Sequence, residues 1–158
     1  MKGENYPADV KQPAPNPEGY PVILVVDDDA SAMEAVVKLL SRRGFYIITA
    51  ADGMEALEVL DSRDDVEVVV MDVMMPRMTG LEACRHLRGK QRTASIPIIL
   101  LTGCDDVATR SAGMKLGVSE FLCKPFTHHE LMDRINAQLH AREISRQLAR
   151  AEDSLQAG

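Results

Sequence analysis

Five apolar runs of strand length recur along this chain, and each gives way to polar or charged residues that a hydrophobic core would not select. The runs are Val22–Val26, Phe45–Thr49, Val66–Met71, Ile96–Leu101 and Val118–Cys123. Between them apolar residues return at helical spacing. Met33, Val36, Val37, Leu39 and Leu40 form one stripe, stopped by Gly44; Met54, Leu57 and Leu60 form a second, and Leu81, Cys84 and Leu87 a third. A weaker fourth pattern runs from Val107 to Leu116, and Leu131, Ile135 and Leu139 mark a fifth. Strands covered by helices on both faces of a parallel sheet read as continuous apolar runs rather than as alternation. The pattern therefore predicts an α/β architecture, a doubly wound (βα)5 parallel sheet. No apolar run approaches the roughly 20 residues that span a bilayer. Lys2 is followed by polar residues rather than by a signal-like apolar stretch, so no membrane role is expected.

The predicted helix starts carry their own signals. Ser31-x-x-Glu34, Thr79-x-x-Glu82 and Thr127-x-x-Glu130 each fit a capping box, and Asp52 before Glu55 is a looser version. At 158 residues the chain has room for one ordinary domain with tails. Residues 1–20 hold Pro7, Pro13, Pro15 and Pro17 among polar residues and read as a disordered leader. Residues 21–140 hold the domain. In residues 141–158, Ile144, Leu148, Ala151 and Leu155 fall at 4-3-4 spacing over barely two heptads, which reads as a helical extension or linker. Lys and Arg number 18 against 24 Asp and Glu, for a net charge of −6. Such a surface has no general attraction for nucleic acid, so no direct nucleic-acid contact is expected. Three cysteines suit reduced thiols in a cytoplasmic setting better than a disulfide framework.

In a parallel sheet all carboxyl ends share one edge, where ligands bind near the topological switch point. The residues at four of the run ends are therefore read together: Asp27, Asp28 and Asp29 after the first, Asp72 after the third, Thr102 after the fourth and Lys124 after the fifth. In the strand order 2-1-3-4-5 the first and third strands are neighbours, so their carboxylates meet. Several ionised carboxylates share a small site only if a cation neutralises them or one pKa rises. With hard oxygens alone at these ends, the ion favoured is Mg²⁺. A carboxylate beside such an ion can attack phosphorus, while the Thr102 hydroxyl and Lys124 ammonium suit two phosphoryl oxygens.

The runs Val-Val-Asp-Asp-Asp (25–29), Met-Asp-Val-Met-Met-Pro-Arg-Met-Thr-Gly-Leu-Glu (71–82), Leu-Thr-Gly (101–103) and Lys-Pro-Phe (124–126) resemble a receiver domain of a two-component response regulator, similar to the single-domain chemotaxis-type regulators. The likeness covers residues 22 to about 140. It implies a flavodoxin-like fold with Asp72 as the site of phosphorylation, taking its phosphoryl group from a sensor histidine kinase or phosphotransfer protein. It also implies Asp27, Asp28, Asp72 and the Met74 carbonyl as Mg²⁺ ligands, and Thr102 and Lys124 as catalytic partners of Asp72. Thr102 and Phe121 would be the switch residues, and Lys124–Pro125 a cis peptide. Homodimerisation is expected through the face of the fourth helix, fifth strand and fifth helix, or through the C-terminal helix. The domain would be a phosphoacceptor rather than an enzyme. Two departures stand out: Gly103 replaces the family's usual alanine, which loosens the following loop, and Met74 and Cys104 occupy positions that tune phosphoryl lifetime. Neither side chain orients water, so slow self-dephosphorylation is expected.

Other classes are separable. An aspartyl phosphatase would use Asp27-x-Asp29, and would survive Asp72→Asn. A flavin carrier would need a Ser/Thr-rich loop where three aspartates stand. A receiver independent of phosphate would lack some of these residues, and none is missing. A regulatory fragment of a longer regulator is the remaining alternative. His128 and His129 read as solvated, Cys84 as core, Cys104 and Cys123 as inert thiols, and Met71–Met78 as packing.

Overall fold

Backbone hydrogen bonding turns the five apolar runs into five strands and the five stripes into helices. The structure is a computed structural model that describes residues 19–103 and 105–157. The elements are β1 (Val22–Val26), α1 (Ala30–Ser41), β2 (Tyr46–Ala50), α2 (Gly53–Ser62), β3 (Val66–Asp72), α3 (Gly80–Arg88), β4 (Ile98–Gly103), α4 (Val107–Lys115), β5 (Glu120–Lys124) and α5 (His128–Ala157). The strands pair in parallel in the order β2-β1-β3-β4-β5. This is the expected flavodoxin-like topology. Eighteen residues of the proline-rich leader, and Cys104, lie outside the described residues.

Two buried layers explain why the strands show no polar alternation. Leu24, Val26, Val69 and Met71 face α2 and α3, where Ala56, Val59, Leu60, Ala83, Cys84 and Leu87 meet them. Ile23, Val25, Val68 and Val70 face the other way, onto Met33, Val36 and Leu40 of α1 and Leu131 and Ile135 of α5. Each such aliphatic side chain stabilises the fold by roughly 1.5–3 kcal/mol through burial, and this sets the sheet rigidly beneath its carboxyl edge. Among the described residues no helix is long and apolar enough to cross a membrane.

The helix starts hold with one correction. Thr79 and Glu82 complete a capping box, and Thr127 and Glu130 exchange the same pair of hydrogen bonds. Asp52 caps α2, but Glu55 reaches back to the Ala51 amide. Ser31 does not cap α1. Asp29 does, its carboxylate accepting from the amides of Ser31 and Ala32. A carboxylate complements the positive helix end better than a hydroxyl, so the helix starts at Ala30. Met54 is 41% exposed and Val107 74% exposed, so neither is an inward anchor of its helix. Gly103 and Lys124 belong to their strands, and Lys124–Pro125 is cis.

Candidate functional site

Register places the chemistry. Val26 pairs with Met71, so Asp27, one step on, stands beside Asp72. Asp72 pairs with Leu101, which puts Thr102 one step above it, and Gly103 pairs with Lys124. Lys124 therefore starts two steps higher than Asp72, and its long side chain reaches back down: Nζ lies 2.8 Å from Asp72 Oδ2. The other oxygen, Oδ1, accepts from the Met74 amide at 3.2 Å.

Oxygens of Asp27, Asp28 and Asp72 all lie within 4.8 Å of one another. Asp27 and Asp72 are buried, at 4% and 7% exposure, while Asp28 faces solvent. Burial pushes the Asp27 carboxyl above its ordinary value; the carboxylates of Asp72 and Asp28 add to this, and the Asp29 amide and Lys124 only partly offset it. Three carboxylates against the Lys124 ammonium on Asp72 leave negative charge that a hard divalent cation would neutralise. The donor set thus fits a metal ion. Asp29, the third member of the acidic run, is outside the cluster because it is spent on capping α1.

Thr102 is buried at the same edge, but its hydroxyl donates to the Gly103 carbonyl at 3.3 Å. Phe121 lies away from the carboxylates. It is half-buried against the α2–α3 layer, with its ring under Gly113 and the Arg110 guanidinium 5.7 Å from its centroid. The Met74 side chain is 73% exposed and offers the site no polar group. His128 and His129 are exposed, His129 pairing with Asp133. Cys84 is fully buried, and burial pushes its thiol up to about 12 despite nearby Arg88, so it is inert.

Two contacts were not anticipated from the sequence. Gly80 opens α3 against the end of β3, where a Cβ would come within 2.6 Å of the Asp72 carbonyl oxygen. Arg77, in the β3–α3 loop, donates to Asp52 at the start of α2. Gly80 was visible only as part of a motif. The Arg77–Asp52 pair joins two loops 25 residues apart, which no periodicity marks.

The family described as the response regulator receiver domain matches residues 23–136. The chain is 45% identical over 117 residues to the response regulator MprA of Mycobacterium tuberculosis, covering 74% of this chain and 50% of that one. It is 43% identical over 122 residues to MprA of Mycobacterium ulcerans, covering 77% of this chain and 51% of that one. The crystal structure of chemotaxis protein CheY4 of Vibrio cholerae at low pH is similar at TM-score 0.72 and 31% identity, covering 77% of this chain and all of that one. The chain spans about half the length of the MprA regulators. The expectation of no nucleic-acid contact rests on the charge of these residues alone, and does not extend to regulators of that length.

Proposed function

The chain belongs to the response regulator receiver domain family of two-component systems, and on that premise we propose that it is a phosphorylation-controlled switch with Asp72 as acceptor. An Asp72 oxygen attacks the phosphorus of a phosphohistidine on a sensor histidine kinase or phosphotransfer protein. The O–P bond forms as the P–N bond breaks, and the imidazole leaves. Lys124, already 2.8 Å from Asp72 Oδ2, stays beside the carboxylate and balances charge that spreads over the phosphoryl oxygens. Asp27, Asp28, Asp72 and the Met74 carbonyl would hold Mg²⁺, which neutralises charge on the transferring group. The Thr102 hydroxyl turns from its own strand toward the phosphoryl group, and Phe121 follows it inward, changing the α4–β5–α5 face.

The observation that carries this reading is the approach of one ammonium and three carboxylates at the carboxyl ends of β1, β3 and β5. Intact-mass measurement after acetyl phosphate and Mg²⁺ tests it. The wild type gains one phosphoryl group and Asp72→Asn gains none; equal labelling of both would overturn the assignment. With no polar group on the Met74 side chain to orient water, the phosphorylated form decays slowly, and a lifetime of seconds in Mg²⁺ would contradict this.

The reading makes the domain a phosphoacceptor, not an enzyme acting on other substrates, in the cytoplasm where sensor kinases present phosphohistidine. Residues 21–140 form its unit, with 141–158 as an extension toward a second copy. Sedimentation with and without beryllofluoride tests self-association, which Leu148→Glu would abolish if α5 carries it. The twofold length of the MprA regulators favours a second reading, in which the same switch governs an output region of a longer protein.

A further inference from the structure

The loop between β3 and α3 carries Met74, and its conformation is unusual at one point: Arg77 has φ of 61°, the left-handed region. For a residue with a Cβ this costs about 1–2 kcal/mol, so neighbouring contacts must hold it. The turn closes tightly there, with the Met78 amide donating to the Pro76 carbonyl at 2.6 Å. The Arg77 side chain then spans to α2, where Nε and Nη2 both reach Oδ2 of Asp52, at 2.6 and 2.5 Å. The other Asp52 oxygen caps α2 through the Glu55 amide at 2.9 Å. Asp52 is buried although Arg77 is largely exposed, so the acceptor is fixed and the donor is the arm that reaches it. A second contact joins the same two segments: Gly53 sits so close to Met78 that a Cβ would lie 2.9 Å from its Cγ.

Below the turn the loop is pinned too. Val73 donates to the Leu101 carbonyl, Gly80 donates to the Val73 carbonyl, and Met75 and Met78 are buried. The backbone at Met74 therefore lies between an amide bound to Asp72 and a turn bound to Asp52. We infer that the Asp52–Arg77 pair is a latch that holds the β3–α3 loop, and with it the Met74 backbone, in the geometry that takes a divalent cation. Arg77 and Asp52 are positioning residues, not ligands. The inference rests on the reading of Asp27, Asp28 and Asp72 as a Mg²⁺ site.

Charge alone and the latch predict opposite results for one of the two partners. Removing Arg77 deletes a positive charge near an acidic cluster, which by Coulomb attraction tightens cation binding; removing Asp52 weakens it. The latch predicts weakening from either removal. The experiment is Mg²⁺ titration followed by amide chemical shifts, on wild type, Asp28→Asn, Arg77→Gln, Asp52→Asn and the Arg77→Gln/Asp52→Asn double variant, with thermal melts confirming that each is folded. Asparagine retains a capping oxygen, so Asp52→Asn keeps α2. Supporting groups around metal ligands are worth 10–100-fold in affinity at buried sites, and this half-exposed pair is expected to be worth about three- to tenfold. Both single variants should weaken binding by that factor, and the double variant by no more than either. Tighter or unchanged binding by Arg77→Gln overturns the latch, as does a double variant whose loss equals the two single losses combined. Wild type and Asp28→Asn separate the two levels: if the wild type shows no Mg²⁺ response, or Asp28→Asn matches it, the metal site itself fails and the latch with it.

Discussion

Gly80 opens α3 with its Cα hard against the end of β3, and there is no space for a side chain: a Cβ would be 2.6 Å from the Asp72 carbonyl oxygen and 3.0 Å from Val73 Cα. Both obstacles are backbone, so the helix or the strand end must move. Gly80→Ala is expected to destabilise the domain by about 1–3 kcal/mol in urea melts and to slow acetyl-phosphate labelling of Asp72. Gly103 is the opposite case. Its Cβ would meet nothing within 4 Å, so the missing methyl serves no packing need and only loosens the start of the β4–α4 loop. Gly103→Ala should stabilise by about 0.4–1 kcal/mol in the same melts, by restricting the unfolded chain. Asp52 sets a pH dependence. Burial raises its carboxyl, but the Glu55 amide and the Arg77 guanidinium outweigh burial and hold it below the ordinary carboxylate range. A depressed carboxyl contributes stability above its unfolded value and loses it as pH falls through the folded one. The stability gap between wild type and Asp52→Asn should therefore be present at pH 7 and close as pH falls below the ordinary carboxylate range.

Among the helices, α4 is held differently from the rest. Its described buried face is Gly113 alone, with Val107 and Met114 facing outward. Two apolar residues seven apart look like an inward stripe in sequence, but the face turned to the sheet is the one without a side chain, because Phe121 fills that space. A Cβ at Gly113 would lie 2.7 Å from the Phe121 Cζ. Alanine in a helix gains about 1 kcal/mol over glycine, yet here it meets an aromatic ring. Gly113→Ala should thus lose that gain in the wild type and recover it in a Phe121→Ala background, which a double-mutant cycle of urea melts would read. At its other end α4 is tied to α3 by one side chain: Arg88 donates to the carbonyls of Ala94, Ile96, Leu116 and Gly117. Lysine has no planar fork to serve the α3–β4 and α4–β5 loops together, so Arg88→Lys should cost about 2–3 kcal/mol.

Across the molecule, what was legible follows from what each signal depends on. The parallel sheet and the polar residues at its strand ends follow from burial on both faces, which local sequence expresses directly. The strand order that makes Asp27, Asp28, Asp72 and Lys124 meet follows instead from the flavodoxin-like topology. The Asp52–Arg77 and Arg88 contacts join loops distant in sequence, and the shared cap at Asp29 was obscured by a competing serine two residues on. The C-terminal stretch shows both limits. Its spacing marked a helix, and α5 does run unbroken to Ala157, but what orients it was hidden. Arg142 donates to the Val66 and Glu67 carbonyls and Arg146 pairs with Glu67 at 3.1 Å, tying α5 to the start of β3, at the edge opposite the acidic cluster. Ile144 and Leu148, which are exposed, lie roughly half a turn round the helix from those arginines. The tether thus turns the apolar stripe outward, away from the sheet. Most helical stability in proteins comes from tertiary packing, and residues 141–156 of α5 are half-buried or exposed, so the tether also supplies order. Glu67→Gln removes the ion pairs but leaves the carbonyls that Arg142 uses, whereas Arg142→Ala removes those bonds as well. Hydrogen exchange should show amides of residues 142–150 losing protection several-fold in the first variant and more in the second, with residues 131–139 unchanged in both. Equal protection along α5 in wild type and both variants would mean that the helix is ordered by its own propensity, and that the direction of its apolar stripe is not set by β3.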